Sequence, residues 1–115
     1  MKNLDLKIRT NGKGLWSDKA TTVNIIGYEI TDISKEYNYA YIRLYFDNSW
    51  DVSKDGFIYT DTLFLMEAKR LLKPILNFGY IDYTEQGMQG INFVSLECSF
   101  SKKDIKELRL LKEII

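Results

Sequence analysis

No histidine occurs anywhere in this chain. Catalytic triads that need an imidazole, most zinc sites and histidine acid–base work near neutral pH are therefore excluded. With one cysteine, Cys98, no internal disulfide can form, and nothing points to an oxidising compartment. The only proline is Pro74, so Pro-rich linkers are absent, as are repeats and low-complexity tracts. No apolar run approaches the roughly 18 residues of a membrane helix. Met1 to Leu6 enter a polar/apolar alternation with no signal-peptide core, so the expected location is the cytoplasm. Net charge is missing too: 16 basic and 16 acidic side chains cancel.

What is present fits one soluble, compact domain over 1–115, with 45% apolar and 28% charged residues. The charge is uneven. Residues 1–19 hold five basic and two acidic side chains (+3), residues 29–61 three and seven (−4), and residues 101–115 five and three (+2). No basic stripe exists to neutralise many phosphates, which turns the reading away from nucleic acid. The acidic middle suits a basic partner instead.

Leu4, Leu6 and Ile8 alternate with Asp5, Lys7 and Arg9, which predicts a first strand with one buried face. Thr10-Asn11-Gly12-Lys13-Gly14 reads as a loop, without the spacing of a phosphate-cradling motif. A second strand is expected over about 22–33. Its apolar phase slips between Ile25 and Ile26, just before Gly27, which predicts a β-bulge. Ser34-Lys35-Glu36 joins it as a hairpin to a third strand, Tyr37 to Phe46. Asp47 to Gly56 is dense in turn formers. A helix then runs from about Thr62 to Lys73, capped by Asp61 or Thr60, with Phe64, Ala68, Leu71, Leu72 and Ile75 on one face. Pro74 is expected to kink it or begin an extra turn, and Gly79 to stop it. Two more strands, 80–84 and 91–100, flank a loop at Glu85 to Gly90. Val94, Leu96, Cys98 and Phe100 share the inner face of the last strand. Ser101-Lys102-Lys103-Asp104 reads as a capping box opening a final helix striped by Ile105, Leu108, Leu111 and Ile115.

The expected fold is α+β in the order β-β-β-α-β-β-α: a single-layer antiparallel sheet of about five strands with two helices on one face. Ala40, Ile42, Leu44 and Phe46 should face the helices. The opposite face of that strand carries Tyr37, Tyr39, Tyr41, Arg43 and Tyr45, half of the chain's eight tyrosines with an arginine among them. Tyr and Arg join a large apolar body to a polar tip and are enriched where proteins hold partners. Cross-strand tyrosine pairs also stabilise a half-exposed sheet with no partner at all. The basic-Gly-aromatic pattern of sheet-based RNA binders is absent.

Asp51-Val52-Ser53-Lys54-Asp55-Gly56-Phe57-Ile58 resembles the start of an EF-hand-type calcium loop, with oxygen side chains at alternate positions before a glycine. The resemblance implies a divalent-metal module using Asp51, Ser53, Asp55 and Asp61, although Thr62 stands where that loop needs a bidentate glutamate. A turn-and-cap segment explains the same residues. Asp47, Asp51, Asp55 and Asp61 as a catalytic or magnesium cluster would need a cleft that sequence cannot show. Cys98 reads as a buried small hydrophobe. Ser95 and Ser99 lack a nucleophile elbow and any activating histidine. Trp16 and Trp50 fall in expected loops, either as interface anchors or folded back over a small core.

The sequence thus points to a small, non-enzymatic binding protein. In its most concrete form this is a bacterial immunity or antitoxin-like inhibitor holding a toxin or nuclease through Tyr37, Tyr39, Tyr41, Arg43, Tyr45, Asp47 and Trp50. A calcium-binding module is the competing class, with calcium as its only expected cofactor. A phage-encoded antagonist of a host defence protein is a further alternative that would look the same. Oligomeric state is not legible.

Overall fold

A computed structural model describes residues 2–10, 21–58, 62–76 and 81–114. The expectations for the loop at 11–14, Trp16, the cap at Thr60 or Asp61, and Gly79 lie outside the described residues. The elements run β1 (Lys2–Thr10), β2 (Thr21–Thr31), β3 (Tyr39–Phe46), α1 (Val52–Asp55), α2 (Thr62–Leu76), β4 (Ile81–Gln89), β5 (Phe93–Phe100) and α3 (Lys102–Ile114). The strands form one antiparallel sheet in the order β1-β2-β3-β5-β4. The protein is α+β, as its sequence predicts.

Strict alternation in β3 divides its side chains cleanly. Ala40, Ile42, Leu44 and Phe46 are buried, and Tyr39, Tyr41, Arg43 and Tyr45 are half-buried on the other side. Register extends the buried face to β5, where Cys98, Leu96 and Val94 pair with Ala40, Ile42 and Leu44. It reaches β2 through Ile30 and Tyr28, opposite Ile42 and Leu44. Helix α2 lays Phe64, Ala68 and Leu72 on this face, and α3 adds Ile105 and Leu108 to the same core. Each such side chain larger than alanine contributes about 1.5–3 kcal/mol when fully buried. Among the described residues, no helix is long and apolar enough to cross a membrane.

The β2 bulge falls where the phase slips: the register shifts between Ile25 and Gly27, burying Ile25 and leaving Ile26 exposed. Strand β2 ends at Thr31, and Asp32 then takes a positive φ of 50°. That left-handed conformation is tolerated by aspartate and turns the chain out of the sheet. Pro74 lies inside α2, which continues to Leu76. Ser101 Oγ accepts the Asp104 amide at 3.1 Å, so the cap of α3 forms as its sequence implies.

Three expectations need correcting. The third strand begins at Tyr39, so Tyr37 lies in the bend before it and not on the strand. Residues 47–56 are not wholly loop, because Val52–Asp55 form the one-turn α1. The expected loop at Glu85–Gly90 is mostly strand: β4 pairs with β5 as far as Gln89↔Val94, with an irregularity between Gln86 and Met88 around Gly87. β4 is an edge strand of the sheet. The connection is therefore short, with the Gly90 amide donating to the Phe93 carbonyl at 3.0 Å.

Candidate binding surface

The outward face of β3 organises the surface. Tyr37 and Tyr39 stack with ring centres 6.3 Å apart and planes 15° off parallel. Tyr39 meets Tyr41 edge-on, at 6.1 Å and 90°. Further along, Tyr45 tilts against Phe93 at 6.0 Å, and the Arg43 guanidinium carbon sits 4.2 Å from the centre of the Phe93 ring. Both aromatic geometries and the cation–π contact are favourable arrangements of ring quadrupoles.

Register explains how Arg43 reaches Phe93. Its direct partner on β5 is Ser95, and Phe93 is the partner of Tyr45, so the arginine leans diagonally over a small residue. Ser95 is buried beneath it, and Arg43 Nε is buried with no hydrogen-bond acceptor. Gly90 completes the arrangement, since a Cβ added there would lie only 2.1 Å from Phe93 Cε1 at the edge of the ring.

The far end of the row is anchored from another element. Arg109 of α3 donates through Nε to the Ser34 carbonyl at 2.7 Å and through Nη2 to the Tyr37 carbonyl at 2.9 Å. Ser34 Oγ accepts the amides of Glu36 and Tyr37 at 3.3 and 2.9 Å. Tyr37 is thus held by its backbone while its side chain stays 63% exposed.

Asp47 and Trp50 lie beyond these ring clusters, in the turn after β3. Asp47 closes the turn after β3: its Oδ1 accepts the Ser49 amide at 3.0 Å and the Ser49 hydroxyl, and its Oδ2 accepts Asn24 Nδ2 at 3.3 Å. The Ser49 hydroxyl, then the Ser49 amide, hold its carboxyl below the ordinary range, outweighing partial desolvation. Trp50 is buried in the core, its indole N–H donating to the Gly56 carbonyl at 2.9 Å. It folds back as a lid on the core, with little of its ring exposed.

The metal-loop residues are committed to local structure. Asp51 Oδ1 accepts the Ser53 amide at 2.9 Å and the Ser53 hydroxyl at 2.6 Å, while Asp55 Oδ2 accepts the Asp51 amide at 2.9 Å. These reciprocal bonds cap α1 at its start. Asp61 lies outside the described residues, among which no three His, Cys, Asp or Glu side chains gather to hold a metal. A groove of about 330 Å³ beside this loop is lined by Lys7, Thr22, Asn24, Trp50 and Asp55, among others. Its two ionisable groups are of opposite sign, and Asp55 already accepts an amide.

Cys98 is fully buried, and burial, with Glu97 adding to it, pushes its thiol up to about 12. Ser99 is half-buried opposite Tyr39. Sequence reasoning missed Phe93, Ser95 and Gly90 as parts of the surface. The signal for the first two was available, because inward Val94 and Leu96 force Phe93 and Ser95 outward. Their adjacency to Arg43 was not, because strand order was unknown. No family model, curated protein or solved structure matches this chain.

Proposed function

We propose that this chain is a non-enzymatic binding protein that holds another protein against the outward face of β3 and β5. The supporting observation is the pair of ring clusters, Tyr37–Tyr39–Tyr41 and Tyr45–Phe93–Arg43, on the sheet face turned away from α2 and α3. Rigid aromatic and guanidinium groups give large contact area at low entropic cost. A standard interface of roughly 800 Å² per partner fits a domain of this size. In its concrete form the protein is an inhibitor of the immunity or antitoxin kind, acting in the cytoplasm. The acidic balance of residues 29–61 then complements a basic toxin or nuclease.

Affinity capture from the native host, with the wild type beside the Tyr41→Ala/Arg43→Ala double variant, tests this. The reading expects a protein retained by the wild type, lost by the folded double variant, and inhibited in its own activity when the chain is added. Equal capture by both proteins, or a double variant that unfolds because the row belongs to a core, would overturn it.

A further inference from the structure

The bend between β2 and β3 presents Tyr37, and packing does little to hold it. Strand β2 ends at Thr31, β3 begins at Tyr39, and Lys35, Glu36, Tyr37 and Asn38 are all exposed. Backbone bonds tie its margins: the Ser34 amide donates to the Tyr39 carbonyl at 3.0 Å, and the Phe100 amide to the Asn38 carbonyl at 2.8 Å. A segment with so little buried surface depends on its polar contacts. The contact between these margins comes from α3. Arg109 donates to the Ser34 carbonyl, 75 residues away in the chain, and to the Tyr37 carbonyl, 72 away. One planar guanidinium thereby fixes two points of the bend, three residues apart. The Tyr37 amide is held as well, by Ser34 Oγ at 2.9 Å. With its backbone pinned on both sides of Cα, the exposed Tyr37 ring is set in its stack on Tyr39.

We propose that Arg109 is a positioning residue for the partner-binding face: from α3 it holds the 34–37 bend in the conformation that stacks Tyr37 on Tyr39. The inference rests on the reading that this face binds protein, and adds that its order is set from the helix side of the sheet. Leu108, next to Arg109, and Ile105, one turn earlier, are buried in the core, so the guanidinium starts from a fixed base. An interface residue ordered beforehand spares the cost of ordering it on binding. In a loosened bend only the fraction with Tyr37 in place is competent, and apparent affinity falls with that fraction. Arg109 thus sets how often the face is competent, while the contacts made in the complex stay the same. Lysine cannot replace it, because a single ammonium on a flexible stem does not span the two carbonyls.

NMR of isotope-labelled wild type, Arg109→Met and Arg109→Lys tests this. Methionine keeps much of the apolar stem without donors, and lysine keeps the charge without the fork. In the wild type the Arg109 Nε–H and the Tyr37 amide should exchange slowly, with NOEs between the Tyr37 and Tyr39 rings. In both variants the Glu36 and Tyr37 amides should exchange at least about tenfold faster and the ring NOEs should fade, while β3 keeps its protection. An Arg109 Nε–H that exchanges at the solvent rate in the wild type would overturn the proposal without any variant. Wild-type protection of Tyr37 in Arg109→Met, or a loss shared by all of β3, would overturn it too. The protein retained in affinity capture is then the binding probe. Arg109→Met should slow its association severalfold at unchanged dissociation, and should add nothing in a Tyr37→Ala background. Faster dissociation, unchanged association, or an added effect without Tyr37 would each remove the positioning role. Failure to retain any protein takes the binding reading and this inference together, whereas a wild-type bend in Arg109→Met removes this inference alone.

Discussion

The guanidinium carbon of Arg43 lies 4.2 Å from the centre of the Phe93 ring, and that ring fills the space a side chain at residue 90 would need. A turn residue on one strand connection therefore sets the position of a cation on a neighbouring strand. Gly90→Ala should push the ring away, costing about 1–3 kcal/mol as overpacking does. It should also separate the ring from the guanidinium. Thermal unfolding measures the first effect. Loss of the ring-current shift on the Arg43 side-chain protons measures the second. An alanine variant with wild-type stability and unchanged shifts would show that Phe93 does not depend on Gly90.

Arg9 and Glu67 join β1 to α2. Arg9 donates to Glu67 Oε1 from Nε at 3.2 Å and from Nη2 at 2.6 Å, and Arg70 lies 3.5 Å from Oε2. Glu67 is the more enclosed partner, its side chain 11% exposed against 59% for Arg9. The hydrogen bond from Arg9, opposed by desolvation and aided by the charges of Arg9 and Arg70, holds the carboxyl below its ordinary value of 4.5. A native pKa below the unfolded one stabilises the fold fully above the ordinary glutamate range. That contribution is lost as pH falls through the lowered native value. Glu67→Gln should therefore melt below the wild type at neutral pH, and the gap should close on acidification. Melting temperatures of both proteins from pH 7 to pH 3 check this.

Asp51 distinguishes a cap from a metal ligand, because asparagine can do the first nearly as well as aspartate. Asp51→Asn should retain stability, while Asp51→Ala should lose about 0.5–2 kcal/mol with the cap. Millimolar calcium should leave the wild-type melting temperature unchanged, since Asp51 and Asp55 already accept backbone amides. A calcium-dependent rise abolished by Asp51→Asn would restore the metal reading.

These residues also show where sequence reasoning reached and where it stopped. The two faces of β3 were legible because a strand's period of two is local, and residues 39–46 alternate without a break. The β2 bulge was legible for the same reason: Ile25 and Ile26 break the phase before a glycine. The fate of Asp51 was ambiguous, because alternating oxygens serve a one-turn cap and a cation loop equally well until the backbone is known. Residues 85–90 read as loop because two glycines, Gly87 and Gly90, and three polar side chains outweigh a strand signal up to Gln89. Only pairing with β5 at the sheet edge makes 85–89 part of β4. The Arg43–Phe93 pair depends on β5 lying beside β3, a long-range choice that no local pattern encodes.

Cys98 offers a probe of the interior that needs no mutation. Its side chain is fully buried, its Sγ lies 3.8 Å from the Leu96 carbonyl, and burial pushes its thiol up to about 12. The thiolate is the reactive form, so native protein at pH 8 should react with a soluble disulfide reagent only as fast as it opens. Denaturant should accelerate the reaction to the rate of a free thiol. Fast stoichiometric labelling of the native protein would contradict the placement of Cys98 between Leu96 and Phe100 on the inner face of β5.

Trp50 allows the core and the binding surface to be separated experimentally. Its ring is buried in the same core as Ile58, and its N–H reaches the Gly56 carbonyl across α1. Trp50→Ala should cost about 3–5 kcal/mol as a large core truncation. Trp50→Phe keeps most of the volume and loses the donor, a change of about 1 kcal/mol. A partner bound through β3 and β5 should be captured by folded Trp50→Phe as well as by the wild type, whereas Tyr41→Ala loses it at unchanged stability. Opposite behaviour, with Trp50→Phe folded but unable to bind, would move the interface from the tyrosine face to the loop after β3. The two variants lie on different elements and act through different observables. Denaturant melts and binding isotherms on the same samples therefore assign each residue to the interior or to the interface.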